Sequence, residues 1–498
     1  MAGRSASTMS INGEPLLNLQ DSYGSITGEE HTMGTRVRKF CYSCVIVANA
    51  AMGAGMLSFP FGFKVAGWGL GVILILVFAM IQSFSLSVIA RSSRNYSAPS
   101  YEDLIGQMFG PGAKTFLMCA ITTFLFAVCV AYLTVISAQA THILNEHYPP
   151  PANGPLSFFD EVIAPCSGGK AGAGSCWIMA IMPAILFPLC TVSNIAVLGP
   201  FSSLAVCAVL YTSAVIAVHG FQDALPRNLD HGALAPQAFS FTPAAFQAIP
   251  IICFGMFCHF TIVPSTAALK PYWRSQNSAG KTSMRAVGAV CAIVMAICVL
   301  VYTPVGLLGY FTFGAHTMGD VLDNYGPKVA GCEPWCLKDD PTVQGAFISV
   351  AFTMSMSYPI FTYLARQAVA GLLGLPIPAP TPTRLLMAVA WCMSTAGAAV
   401  LVTKAGIDLS FIVSVLGCTA CTLVQFHFPA RMCGKLGWHK SAVFFHSLFF
   451  IILVVGLTVT IGSKVCSADS SSAGSNAGSA AGLMADEEAS SFCTMLRG

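Results

Sequence analysis

The chain has 498 residues, of which 55% are hydrophobic and only 9% charged, with a formal net charge of +3 and a mean hydropathy of +0.71. Soluble domains carry roughly 25% charged residues, so this composition excludes a soluble enzyme and indicates an integral membrane protein. No nucleotide loop, nucleophile constellation or basic aromatic surface for nucleic acid stands in the sequence. The expectation is therefore a non-enzyme without a cofactor, whose energy comes from an ion gradient or from its solute's own gradient.

Residues 1–34 are rich in Ser, Gly and Glu with no apolar period, which predicts a disordered N-terminal tail. Arg36-Val37-Arg38-Lys39 then introduces a transmembrane domain expected over 35–464. Its first apolar segment begins too late for a cleavable signal peptide. At about 20 residues per crossing, eleven spans are read: 40–63, 67–90, 113–144, 177–192, 199–219, 244–269, 286–313, 344–371, 384–403, 408–428 and 441–464. Lys and Arg concentrate in the segments that face the N-terminal side, among them Arg91, Lys114, Arg274, Arg285 and Arg431, so the N-terminus is expected in the cytoplasm. Asn95-Tyr96-Ser97, a glycosylation sequon, then falls inside. Residues 465–498 form an Ala/Ser/Gly tract, read as a disordered tail.

Two spans are interrupted at bilayer depth. The first carries Met52-Gly53-Ala54-Gly55-Met56, and the sixth carries Phe254-Gly255-Met256-Phe257-Cys258-His259 with Pro264 beyond. Glycine weakens a helix, and bare backbone survives in a membrane only where it lines a protein cavity. The breaks lie five spans apart, an odd number, so a repeat of that length inserts with opposite topology. This gives two inverted halves, about 36–220 and 244–428, followed by an eleventh helix. Such facing breaks offer amides to a carboxylate and carbonyls to a cation without any ionised side chain.

The residues also resemble the amino acid/auxin permease family, and within it the sodium-coupled neutral amino acid transporters and their vacuolar relatives. The likeness runs from about 38 to 430 and rests on several motifs taken in order. These are Asn49 with Gly53-Ala54-Gly55 and Pro60; Tyr101-Glu102-Asp103-Leu104 with Phe109-Gly110; Asn194 with Leu198-Gly199; Cys258-His259 with Pro264; Gly309-Tyr310-Phe311-Thr312-Phe313-Gly314; and Ser357-Tyr358-Pro359 with Arg366. The resemblance implies an all-α, eleven-span fold of the leucine-transporter type and alternating access. It also implies amino acid transport coupled to sodium or protons. Met52, Gly53, Ala54, Gly55 and Met56 match the family position where the substrate's amino and carboxylate groups meet backbone. Asn49 matches the asparagine near the cation, and Ser357 the hydroxyl residue that completes a sodium site with carbonyls of the first span. Thr353 or Ser355 is its neighbouring ligand, depending on helix rotation.

Phe59, Phe254 and Phe257 are expected to wall the side-chain pocket, and Gly255 and His259 at the second break complete the expected substrate site. No Asp or Glu lies in mid-span, so proton coupling would lean on His259, with Asp408 at a span edge as a second candidate. Gly53→Val or Gly55→Val is expected to fill the substrate space. Most of the 20 cysteines sit inside spans, but Cys166, Cys176, Cys332 and Cys336 fall in outer loops, where an oxidising compartment allows two bridges in three connectivities. A link between the loops at 146–176 and 314–342 is preferred. Two functions follow from these residues: a monomeric secondary carrier of neutral amino acids in the plasma membrane or a vacuolar or lysosomal membrane, or an amino acid sensor that signals through its N-terminal tail.

Overall fold

In a bilayer the backbone has no hydrogen-bond partner but itself, and every described segment able to cross one is helical. The computed structural model describes residues 33–147 apart from 94, 95, 97 and 99, then 174–193, 199–224, 236–269, 279–326, 340–376 and 379–473. Asn95, Asn194, Cys166, Cys332, Cys336 and both expected tails up to residue 32 and beyond Ala473 lie outside these residues.

The first span is α1 (Met33–Ala51), a short 3-10 turn (Ala54–Ser58) and α2 (Phe59–Ala66). It is followed by α3 (Trp68–Ser93), α4 (Tyr101–Phe109), α5 (Pro111–His147), α6 (Cys176–Cys190) and α7 (Gly199–His219). The second half repeats the plan: α8 (Ala248–Gly255) and α9 (Ile262–Leu269) form a broken span, then come α10 (Ala279–Phe313), α11 (Pro341–Leu372), α12 (Thr381–Lys404) and α13 (Leu409–Lys435). The last span is α14 (His439–Cys466), whose helical turns run on to Ala473. Nine of these segments are long and apolar enough to cross a membrane. With the shorter α6 and the broken first span they make the eleven expected crossings. Large apolar side chains on the outside, such as Leu300, Leu386, Met393 and Leu401, face outward as a lipid solvent requires.

The two halves match element by element, with a broken helix first and a short helix between the second and third spans of each. In the first half that helix is α4; in the second it is the 3-10 turn Val321–Tyr325. Five crossings separate them, so they sit on opposite sides of the membrane. Local chemistry fixes their ends. Ser100 caps α4 by accepting from the Asp103 amide at 3.2 Å, and Glu102 and Asp103 suit its positive end. Gly110, at φ 92°, turns the chain out of α4. Asp340 caps α11 by accepting from the Thr342 amide at 2.8 Å. Arg366, expected only as a family motif, donates from Nη2 to Val192 O at 3.0 Å just past the C-terminal end of α6, where a cation is favoured.

Three expectations change. The unwound stretch of the first span is Met52 and Gly53 alone, because Ala54–Ser58 coils as a 3-10 turn. The tail expected from 465 is helical to Ala473. The tenth span is not a plain helix: it carries π turns at Gly417–Cys421 and Leu423–His427. The first of these brings Gly417 against α8, so closely that a Cβ there would collide with the Pro250 carbonyl.

That contact predicts a measurable asymmetry. Gly417→Ala should destabilise the detergent-solubilised protein by about 1–3 kcal/mol, the usual cost of overpacking. Gly397→Ala, on an exposed face with nothing within 4 Å of the added carbon, should leave the unfolding temperature unchanged. Thermal unfolding of the two variants side by side checks this.

Candidate functional site

The two helix breaks meet. A Cβ added at Gly55 would lie 3.1 Å from Gly255 Cα and 2.9 Å from the Phe254 ring, while one at Gly255 would collide with the Phe59 ring. The crossing therefore admits no side chain at either glycine. Gly53 is different. Its backbone is extended (φ −152°, ψ −159°), and the nearest atom to an added Cβ is Tyr132 Oη at 3.6 Å.

Beside the crossing lies a cavity of about 40 Å³. On one wall are Gly53 and Gly55 with Ala50 and Ala51 of α1; opposite are Phe254, Gly255, Phe257 and Phe260. Phe124, Val128 and Tyr132 of α5 and Phe361 of α11 complete it. The space holds about three waters at 10–15 Å³ each on this measure, so an amino acid would need these walls to part. The Ala51 carbonyl, at the C-terminal end of α1, is held by the Tyr302 hydroxyl at 2.7 Å, and Tyr302 stacks on Phe59 at 4.6 Å. The break in the first span is thus pinned by α10.

Of the ten expected substrate residues, the cavity gathers Gly53, Gly55, Phe254, Gly255 and Phe257. Met52 is half-buried at the break itself, and Ala54 opens the 3-10 turn. Met56 is buried and accepts a weak bond at sulfur from the Ser213 hydroxyl at 3.5 Å. Phe59 packs behind the wall, against Tyr302 and Gly255. His259 is fully buried beside Phe257, its ring 6.3 Å from that phenyl, and neither ring nitrogen has a hydrogen-bond partner among the described residues. Tyr132, Tyr302, Phe124 and Phe361 were not legible as site residues. The only signal was a tyrosine in mid-span, whose hydroxyl needs a partner when buried.

Of the expected cation residues, Thr353, Ser355 and Ser357 are not in the described lining of this cavity. Asn49 lies on α1 just before its end. Thr353 donates to Ser349 O at 2.8 Å and approaches Ala205 O of α7 at 3.4 Å, so its face of α11 looks toward α7. Ser357, one turn on, shares that face and is half-buried, whereas Ser355 is buried off it.

The segment from Gly314 to Gly326 is tied to the first span and to α5: Ser58 donates to Gly319 O at 2.9 Å, Lys64 to Thr317 O at 3.1 Å, and Gln139 to Asp320 at 3.3 Å. His142 pairs with Asp323 at 3.1 Å. Burial, and then the neighbouring Asp323, push the Asp320 carboxyl well above the usual carboxylate range, while the Leu322 amide pulls it down. Cys176, the one described member of the four loop cysteines, is not among the free thiols, and neither is Cys466.

A broken-helix crossing inside an eleven-span inverted repeat is a transporter architecture, and sequence comparison agrees. The family described as transmembrane amino acid transporter protein matches residues 36–467. The chain belongs to that family. The amino acid transporter family member from Mus musculus named sodium-coupled neutral amino acid transporter 7 is 27% identical over 401 residues, covering 77% of this chain and 76% of its own. The Homo sapiens protein of the same name is 26% identical over 445 residues, 86% of each chain. Solute carrier family 38 member 8 of Mus musculus is 25% identical over 387 residues, 75% of this chain and 79% of its own. Among solved structures, a manganese transporter of Eremococcus coleocola aligns over 95% of this chain and 96% of its own with a TM-score of 0.52 at 14% identity, a likeness of fold alone. This family member is a multi-pass membrane protein with the leucine-transporter-type fold.

The glycine geometry separates two variants. Gly53→Ala should fold normally and weaken amino acid uptake about tenfold, because its methyl enters the cavity beside Tyr132 and displaces roughly one polar contact. Gly55→Ala should instead lower the unfolding temperature, since Phe254 and Gly255 leave it no room. Uptake and thermal unfolding measured on both variants check this.

Proposed function

We propose that the protein is a secondary active transporter that moves neutral amino acids by alternating access, driven by a sodium or proton gradient. The observation that carries this reading is the wall of the cavity at the joined breaks: among the described residues it is backbone, small and aliphatic side chains, phenyl rings and one tyrosine hydroxyl, with no ionised side chain. A zwitterion can be met there by helix ends. The start of the Ala54–Ser58 turn offers amides to the carboxylate, and the end of α1 offers carbonyls to the ammonium. A charged substrate side chain would be desolvated without a partner among the phenyl rings, which favours neutral ones.

Sodium is favoured as the coupling ion by the names of the relatives. Its oxygen ligands would be α1 carbonyls near Asn49 and the hydroxyl of Ser357, on the face of α11 that carries Thr353. Proton coupling would use His259. Basic residues on the α4 side support a cytoplasmic N-terminus, which would turn the end with Asp320 and Cys176 toward the exterior or a lumen. There, bridges among Cys166, Cys176, Cys332 and Cys336 would form. The carrier works as a monomer in the plasma membrane or a vacuolar or lysosomal membrane.

The test is uptake of a labelled neutral amino acid mixture into proteoliposomes, with sodium and proton gradients imposed separately. Sodium-driven accumulation is expected, lost in Ser357→Ala and kept in His259→Ala. The reverse pattern under a proton gradient would move coupling to α8 and α9. Binding without uptake under either gradient would overturn the carrier and leave a sensor.

A further inference from the structure

A second cavity, of about 50 Å³, adjoins the one at the helix breaks. Phe124, Phe257 and Phe260 line both, so these rings form the partition between them. The second cavity lies on the α4 side, with Pro264 of α9 and Leu364 of α11 on its walls and Ser100 and Glu102 at its end. Glu102 is the one ionisable side chain in its lining among the described residues.

The neighbouring ammonium is held by a different carboxylate. Lys114 is engaged with Asp103 at 2.7 Å, and Asp103 also accepts from the Ser100 hydroxyl at 3.0 Å. Burial pushes the Glu102 carboxyl above the usual carboxylate range; its backbone amide and the Ser100 hydroxyl pull it down, Asp103 pushes it up and Lys114 draws it back. A half-buried carboxylate of this kind gains when a cation arrives. The route to it suits a cation, too: Phe124 and Phe257 meet edge to face at 4.9 Å and Phe257 and Phe260 lie 5.5 Å apart, and ring faces attract ammonium groups. At the opposite end the segment from Gly314 to Gly326 is bonded to the first span and α5.

We infer that Glu102 forms a second substrate station, a transient binding site for the α-ammonium group of the amino acid at the α4-side end of the path, entered as Phe124, Phe257 and Phe260 swing aside. This inference rests on the carrier reading above. It assigns the carboxylate a role on one side of the membrane only, because the station is reached from the central cavity after the far end has shut.

Sidedness provides the test. Exchange is measured in proteoliposomes of uniform orientation with the labelled neutral amino acid mixture used above, its concentration varied on one face at a time. Glu102→Gln should raise the half-saturating concentration about tenfold on the α4 face, the worth of one charge-assisted hydrogen bond, and leave the opposite face unchanged. Glu102→Asp, which keeps the charge, should restore most of the affinity. Equal shifts on both faces, no shift on either, or a loss in the aspartate variant as large as in the glutamine one would overturn the station. Absence of exchange in the unmodified protein would overturn the carrier reading, and the station with it.

Discussion

Everything in this molecule depends on how a membrane protein can leave peptide groups without helical partners at bilayer depth. The cost is tolerated only inside protein. Here it is met by placing the two breaks against each other, glycine to glycine, at Gly55 and Gly255. Around that crossing the other helices act as clamps: Tyr302 holds the last carbonyl of α1, and Gln425 of α13 donates to Cys253 O of α8 at 2.6 Å. The π turns of α13 follow from the same need, since they let Gly417 approach the Pro250 carbonyl and bring Gln425 to α8.

The two sides of the crossing are built from different chemistry. Polar and ionisable groups bind the Gly314–Gly326 segment to the 3-10 turn, α2 and α5 through Ser58, Lys64, Gln139 and His142. The opposite end is a run of phenyl rings that stops at a single carboxylate. Hydrogen bonds are directional and hold one arrangement, whereas apolar contact between rings is far less directional.

Much of the fold was legible because lipid imposes a simple rule. Long apolar runs gave the eleven crossings, and the glycines at 53, 55 and 255 located both breaks within a residue or two. The site was legible only in part. Gly53, Gly55, Phe254, Gly255 and Phe257 could be read as a pocket because they sit on the interrupted segments themselves. Tyr132 and Phe361 could not, since an aromatic residue in an apolar helix looks the same whether it faces lipid, a neighbour or a cavity. Glu102 was read only as part of a family motif, and nothing in its local sequence says that α4 shares a cavity with Pro264 and Leu364.

The sequence by itself determined the class, the number of crossings, the inverted repeat and the positions of the two weak points, because each depends on composition or on periodicity along the chain. Tertiary structure alone decided that the breaks touch, that Met56, Phe59 and His259 pack outside the cavity lining, and that Thr353 turns toward α7. Those outcomes depend on the rotation of each helix about its axis. Rotation is set by packing against neighbours distant in sequence, and a uniformly apolar helix carries too little amphipathic contrast to announce it.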